Sequence, residues 1–275
     1  MYKLARKDRR PHSVVRAAGV PFGGDGFTVI AGPCAVESQA QIERTAHFVA
    51  ETGAQMLRAG AYKPRTSPYS FQGLGDDGVE LIAQASRTAQ IPAVVEAMSE
   101  ADLPLLCRNV EMIQIGARNM QNFSLLKAAA RTGKPLLLKR GACATLDEVL
   151  YSAEYILIEG NSDVVLCERG IRGFDPQTRN VFDLGGALRL KELTHLPVIA
   201  DPSHATGRAS LVEPVVLAAA AAGLDGAIVE VHPHPPSALS DAEQALDFPA
   251  FARLMERLRP LIQASPSNIP LAACR

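Results

Sequence analysis

The chain has 275 residues, 47% hydrophobic and 21% charged, with a formal net charge of −1. That composition can bury a large core, and it excludes a disordered chain or a nucleic-acid coat. No stretch of about 18 apolar residues is present to span a bilayer, and the basic start MYKLARKDRRPHSVV is followed by no secretory apolar run, so the expected location is the cytoplasm, away from membranes.

In chain order, residues 1–26 read as a short N-terminal extension with a turn at PFGGDG. The strand FTVIAGPC (27–34) leads into the helix SQAQIERTAHFVAET, and QMLRAGA (55–61), PAVVEAM (92–98) and MIQIGAR (112–118) are the next strands. The helix SLLKAAARTG precedes the strand PLLLKRG (135–141), and the helix TLDEVLYSAEYILIEG precedes VVLCERG (164–170). PVIADPSH (197–204), the helix EPVVLAAAAAG, GAIVEVH (226–232) and the helical pattern DAEQALDFPAFARLMERLRPLIQ complete the series. Continuous apolar strands with helices between them mean a parallel sheet covered on its faces. Eight such units predict an α/β fold of the (β/α)8 TIM-barrel type over residues 27–262. An open, doubly wound sheet is the alternative, although no GxGxxG follows the first strand. Residues 263–275 have turn formers without helical period and read as a flexible C-terminal tail. Five cysteines, Cys34, Cys107, Cys143, Cys167 and Cys274, form no CxxC pair, which predicts free thiols in a reducing compartment, Cys274 without a catalytic role.

Polar residues stand at or just past the strand ends: Cys34, Arg58 with Lys63, Glu96, Arg118, Lys139, Glu168 with Arg169, His204 and Glu230. In a barrel these ends form one rim, where active sites lie. Any one arginine there has a plain reading as a side chain reaching for water. Arg58, Lys63, Arg65, Arg118, Lys139 and Arg169 together outnumber what a neutral ligand needs, and guanidinium forks match phosphate and carboxylate oxygens. The expected ligand is a phosphorylated anion. Cys34, His204, Glu230 and Asp241 supply a thiolate, an imidazole and two carboxylates, a set that suits a divalent transition metal. Plainer readings are a loop histidine for His204, a small core residue for Cys34 and the N-cap of the final helix for Asp241.

The motifs IAGPCAVES, LRAGAYKPRTSPYSFQGLG, QIGARNMQNFSLLKAA, LLLKRG, LCERGIRGFD, IADPSHATG and VEVHPHPPSALSDAEQAL together resemble type I 3-deoxy-D-arabino-heptulosonate 7-phosphate (DAHP) synthase. The resemblance runs in order over about residues 1 to 260. It implies a metal-dependent condensation of phosphoenolpyruvate with erythrose 4-phosphate and water, the first step of the shikimate pathway toward chorismate and aromatic amino acids. By the same resemblance the metal ligands are Cys34, His204, Glu230 and Asp241, with manganese expected first and cobalt, iron(II), zinc or cadmium as alternatives. Phosphoenolpyruvate contacts fall on Arg58, Lys63, Arg118, Lys139 and Arg169, and aldose phosphate contacts on Arg65 and Thr66.

Lys63 is expected to give a proton or hydrogen bond to the developing alkoxide, and Glu96 to handle the attacking water. Pro64 is expected to set the reach from Lys63 to Arg65 and so to select a four-carbon aldose. The rival readings are 3-deoxy-D-manno-octulosonate 8-phosphate synthase, which uses arabinose 5-phosphate, and a catalytically silent barrel that binds an effector or partner. Lys63-Pro64-Arg65-Thr66 differs from the Lys-Ala-Asn-Arg loop usual in the octulosonate enzymes. Residues 1–26 are too few for the ferredoxin-like or chorismate mutase domain of many relatives. The resemblance also implies a homo-oligomer, with a tetramer expected and a separate chorismate mutase as a candidate partner.

Overall fold

The computed structural model describes residues 2–63 and 67–263. Pro64, Arg65, Thr66, the tail after 263 and Cys274 lie outside the described residues. Two short strands, β1 (Val15–Ala17) and β2 (Val20–Phe22), pair antiparallel with Val15 opposite Phe22. Their turn, Ala18 (φ 46) and Gly19 (φ 87), has two positive φ values, the geometry that matches the twist of a two-residue hairpin. The expected turn at PFGGDG follows at Gly23–Asp25.

Eight parallel strands then close a barrel: β3 (Thr28–Gly32), β4 (Met56–Arg58), β5 (Ala93–Ala97), β6 (Met112–Ile115), β7 (Leu136–Lys139), β8 (Val164–Glu168), β9 (Val198–Ala200) and β10 (Gly226–Glu230). They are the eight segments expected from sequence. Closure is made by β10, which runs beside β3 with Gly226 opposite Thr28 and beside β9 with Ala227 opposite Ala200, so the open-sheet alternative fails. The helices are α1 (Gln39–Thr52), α2 (Asp76–Ala89), α3 (Leu103–Asn109), α4 (Phe123–Arg131), α5 (Leu146–Leu157), α6 (Leu184–Leu193), α7 (Pro202–Thr206), α8 (Ala209–Ala221) and α9 (Phe248–Gln263).

Local signals set several helix starts. Ser38 caps α1, Asn122 caps α4, and Thr145 with Glu148 forms a reciprocal capping box on α5. The PVIADPSH strand is shorter than the sequence implies, because Pro202 and the Asp201 cap begin α7, which puts His204 inside a helical turn. Asp241 does not cap the final helix. It has φ 53 before a short 3-10 turn, and α9 starts at Phe248.

Strand alternation divides the core in two. Ile30, Met56, Val94, Met112, Leu137, Val165, Ile199 and Ile228, one from each strand, pack inside the barrel. Val15, Ala17 and Phe22 of the hairpin join them, so the N-terminal extension packs on the barrel and caps this inner cluster. Their strand neighbours, such as Val29, Leu57, Val95 and Leu138, pack outward in the larger core shared with the helices. Among the described residues no helix is long and apolar enough to cross a membrane.

Candidate active site and metal centre

The side-chain period of a strand is two, so the residue two positions past each interior apolar residue points to the barrel mouth. Met56 leads to Arg58, Val94 to Glu96, Met112 to Gln114, Leu137 to Lys139, Cys167 to Arg169, Ile199 to Asp201 and Ile228 to Glu230. Gly32 holds the corresponding place on β3. Its φ of 152 and an added Cβ only 2.0 Å from Arg58 O require glycine there, and the chain reaches Cys34 two residues later.

The same parity corrects the reading of Glu168, which falls on the outward face beside Cys167. It pairs with Arg140 Nη1 at 2.7 Å, and that nitrogen also lies 2.9 Å from Asp183. Glu168 therefore ties β7, β8 and the cap of α6 together behind the mouth.

A cavity of about 440 Å³ at the mouth is lined by Arg58, Lys63, Arg118, Lys139 and Arg169, with Glu96, His204 and Asp241 also on its wall. Arg172 and Arg179, to which the sequence reading gave no role, line it too. Arg58 donates to Glu230 Oε1 at 2.5 Å, and Lys139 Nζ donates to Asp201 Oδ2 at 2.5 Å. Among the described residues Arg118 and Arg169 have no ion pair, and Arg58 Nε is buried without a hydrogen-bond partner. A buried donor left unsatisfied is costly, so this wall is built for an anion. Glu96 accepts from Gln114 Nε2 at 2.9 Å, which holds its carboxylate on the cavity side of β5.

The donor cluster adjoins this wall at Arg58 and Lys63. Ligand atoms of Cys34, Glu230 and Asp241 lie within 4.8 Å of one another. Cys34 Sγ is 3.2 Å from Asp241 Oδ2 and 3.1 Å from Ser240 Oγ, and Lys63 Nζ reaches it at 2.9 Å. The loop carrying Asp241 is fastened back to the Cys34 segment by Glu37, which accepts from Leu239 N at 2.8 Å and lies 3.3 Å from His232 Nε2.

Burial, reinforced by the Glu230 carboxylate, pushes the Cys34 thiol up to about 12. Burial would raise Glu230 as well, but His204, Arg58 and Lys63 hold it down at about 2. Burial also works against the Lys63 ammonium, and there the negative charge of Cys34 and Glu230 prevails, so its pKa is raised. For His204 burial outweighs Asp201 and Glu230 and lowers the imidazole, which is neutral at physiological pH.

That protonation state tests the fit of a metal. His204 Nδ1 donates to Asp201 Oδ1 at 3.1 Å, leaving the Nε2 lone pair 3.3 Å from Glu230 Oε1 and 3.9 Å from Asp241 Oδ2. Glu230 Oε1 accepts from Arg58 Nη1 and Asp241 Oδ2 from the Cys34 thiol, and the Nε2 lone pair turned toward both oxygens makes this a place where a further cation would be stabilised. A thiol, an imidazole and two carboxylates converging in this way fit a divalent metal of borderline softness.

The family model of the DAHP synthetase I family matches residues 12–264. The chain belongs to the DAHP synthetase I family. The phospho-2-dehydro-3-deoxyheptonate aldolase of Thermotoga maritima is 49% identical over 264 residues, 96% of this chain and 78% of that protein. A crystal structure of the DAHP synthase from the same organism superposes with a TM-score of 0.93 at 48% identity, covering 96% of this chain and 77% of that one. A 2-dehydro-3-deoxyphosphooctonate aldolase of Acidithiobacillus ferrooxidans is more distant, 29% identical over 238 residues, 80% of this chain and 83% of that protein.

Within this DAHP synthetase I barrel, the mouth gathers ten of the twelve site residues expected from sequence: Cys34, Arg58, Lys63, Glu96, Arg118, Lys139, Arg169, His204, Glu230 and Asp241. Arg65 and Thr66 lie outside the described residues. Asp201 was missed, although it is 1% exposed and binds both Lys139 and His204. Its signal was legible: an aspartate ending a strand, one residue before a proline and three before a histidine, is placed to cap the turn that presents the histidine.

Proposed function

We propose that this barrel is a 3-deoxy-7-phosphoheptulonate synthase, a transferase that condenses phosphoenolpyruvate with erythrose 4-phosphate and water to give DAHP and phosphate. The observation that carries the reading is the meeting, in one cavity, of a wall of five cationic side chains and a cluster of thiol, imidazole and carboxylate donors that converge on one another. Phosphoenolpyruvate places a carboxylate beside a phosphate. Arg58, Lys63, Arg118, Lys139 and Arg169 would offset that repulsion and hold the enol for attack. Arg118 and Arg169, which have no ion pair among the described residues, supply donors for it.

Carbon 3 of the enol forms the new bond to the aldehyde carbon, carbon 2 takes up water, and phosphate leaves. Lys63 stands as an ammonium beside Cys34, so it can donate to the developing alkoxide, and in that state it forms no imine with a substrate carbonyl. Glu96, held by Gln114, faces the same cavity and would take the proton of the incoming water. A divalent ion held by Cys34, His204, Glu230 and Asp241, manganese first, would polarise the aldehyde as a Lewis acid. Arg65 and Thr66 would grip the distal phosphate. Assembly as a homotetramer in the cytoplasm, with a separate chorismate mutase as partner, belongs to the same proposal.

The test is phosphate release from phosphoenolpyruvate by metal-free and manganese-loaded protein with each aldose. Metal-dependent release with erythrose 4-phosphate is expected. Preference for arabinose 5-phosphate would favour the octulosonate enzyme, and no release with either would favour a silent barrel.

A further inference from the structure

Arg179 and Gln244 received no role in the chemistry above, yet each ties off one oxygen of a candidate carboxylate ligand. Gln244 Nε2 donates to Glu230 Oε2 at 2.6 Å, and Gln244 Oε1 accepts from Arg179 Nη1 at 3.0 Å. The same guanidinium nitrogen lies 3.5 Å from Asp241 Oδ1. The other oxygen of each carboxylate faces inward. Glu230 Oε1 is 3.3 Å and Asp241 Oδ2 3.9 Å from His204 Nε2, and Asp241 Oδ2 also receives Cys34 Sγ at 3.2 Å.

An amide has a donor end and an acceptor end, whereas arginine only donates. Arg179 therefore dictates which end of Gln244 meets Glu230. Without it the amide can turn and set oxygen against oxygen.

We propose that Arg179 and Gln244 are positioning residues for the metal centre, holding Glu230 Oε2 and Asp241 Oδ1 outward so that the opposite oxygens face the ion. The inference rests on the metal-centre reading given above. The Arg179 side chain is 38% exposed, so its pairing with Asp241 is screened by solvent and contributes little to stability. The fold should survive its loss, which separates a positioning role from a structural one.

Metal-free wild type, Arg179→Met, Gln244→Leu and the double variant are titrated with Co2+ against a chelator of known affinity, and the absorption bands of the bound ion are recorded. Wild type is expected to show a thiolate-to-cobalt band that Cys34→Ser removes. Each single variant should bind roughly 10 to 100-fold more weakly and shift the ligand-field bands, with the melting temperature of metal-free Arg179→Met unchanged. The double variant should lose less than the product of the two losses, because part of the Arg179 effect passes through the Gln244 amide. Should Gln244→Leu fail to fold, Arg179→Met decides alone. A wild type that binds no Co2+ sinks the metal centre itself. A wild type that binds normally beside variants of equal affinity and identical bands overturns the positioning role alone, and losses that multiply in the double variant overturn the shared route through the amide.

Discussion

Replacing Asp201 by asparagine probes the contacts that hold both walls of the site. In the wild type, Asp201 Oδ2 accepts from Lys139 Nζ at 2.5 Å, while Oδ1 accepts from His204 Nδ1 and from the His204 amide, each at 3.1 Å. Asparagine keeps the shape but leaves these three donors one acceptor oxygen. Asp201 and Lys139 are 1% and 4% exposed, so the Lys139 ammonium, which shows little of its surface to the cavity, loses its counter-charge largely desolvated. Breaking a buried pair from one side costs about 3 to 5 kcal/mol. At about 2 to 4 °C per kcal/mol for chains approaching this size, the melting temperature should fall by on the order of 6 to 20 °C.

Calorimetry of metal-free, substrate-free protein measures this directly. The pH dependence has a defined sign. Burial opposes the Asp201 charge, but His204 and Lys139 hold its carboxyl well below the ordinary value of 3.8. A depressed acid contributes stability above its unfolded pKa and loses it as pH falls through the folded one, so the gap between wild type and variant should be flat near neutrality and narrow below about pH 4. The amide N–H would also face His204 Nδ1 and move the imidazole proton to Nε2, weakening metal binding by about 10 to 100-fold. A variant that melts within about 2 °C of wild type and binds metal equally well would refute this account.

Two further outcomes follow from the same geometry. Because the Cys34 thiol sits at about 12 while Glu230 is already ionised and His204 already neutral, metal binding should release one proton and weaken about tenfold for each unit the pH is lowered between 9 and 7. An indicator in weak buffer reads the proton, and release that persists in Cys34→Ser would remove the thiolate from the ligand set. A Cβ at Gly116 would stand 1.8 Å from Glu96 Oε1, so Gly116→Ala should displace that carboxylate, at a cost of about 1 to 3 kcal/mol in overpacking. Steady-state kinetics should then show kcat falling more than the KM for phosphoenolpyruvate changes, and an unaltered kcat would take Glu96 out of the water-handling step.

Sequence alone determined what repeats locally. Eight apolar runs with helices between them specify parallel strands, and the side-chain period of two carries an interior residue such as Met56 or Ile228 to a mouth residue such as Arg58 or Glu230. Residue chemistry added the cations and the donor set, and motif resemblance joined them into a site. The partners of those residues were not legible, since they arrive from distant segments. Glu230 receives Arg58 across 172 positions, a contact that exists only once β10 closes against β3, and Asp201 receives Lys139 across 62, once β7, β8 and β9 lie side by side. The packing of the hairpin on the inner core and the arrival of Arg140 as the partner of Glu168 are likewise tertiary. A strand's sequence states which face each side chain takes, but what waits on that face is set by barrel closure and by the low-dielectric interior, where each buried charge must find a partner.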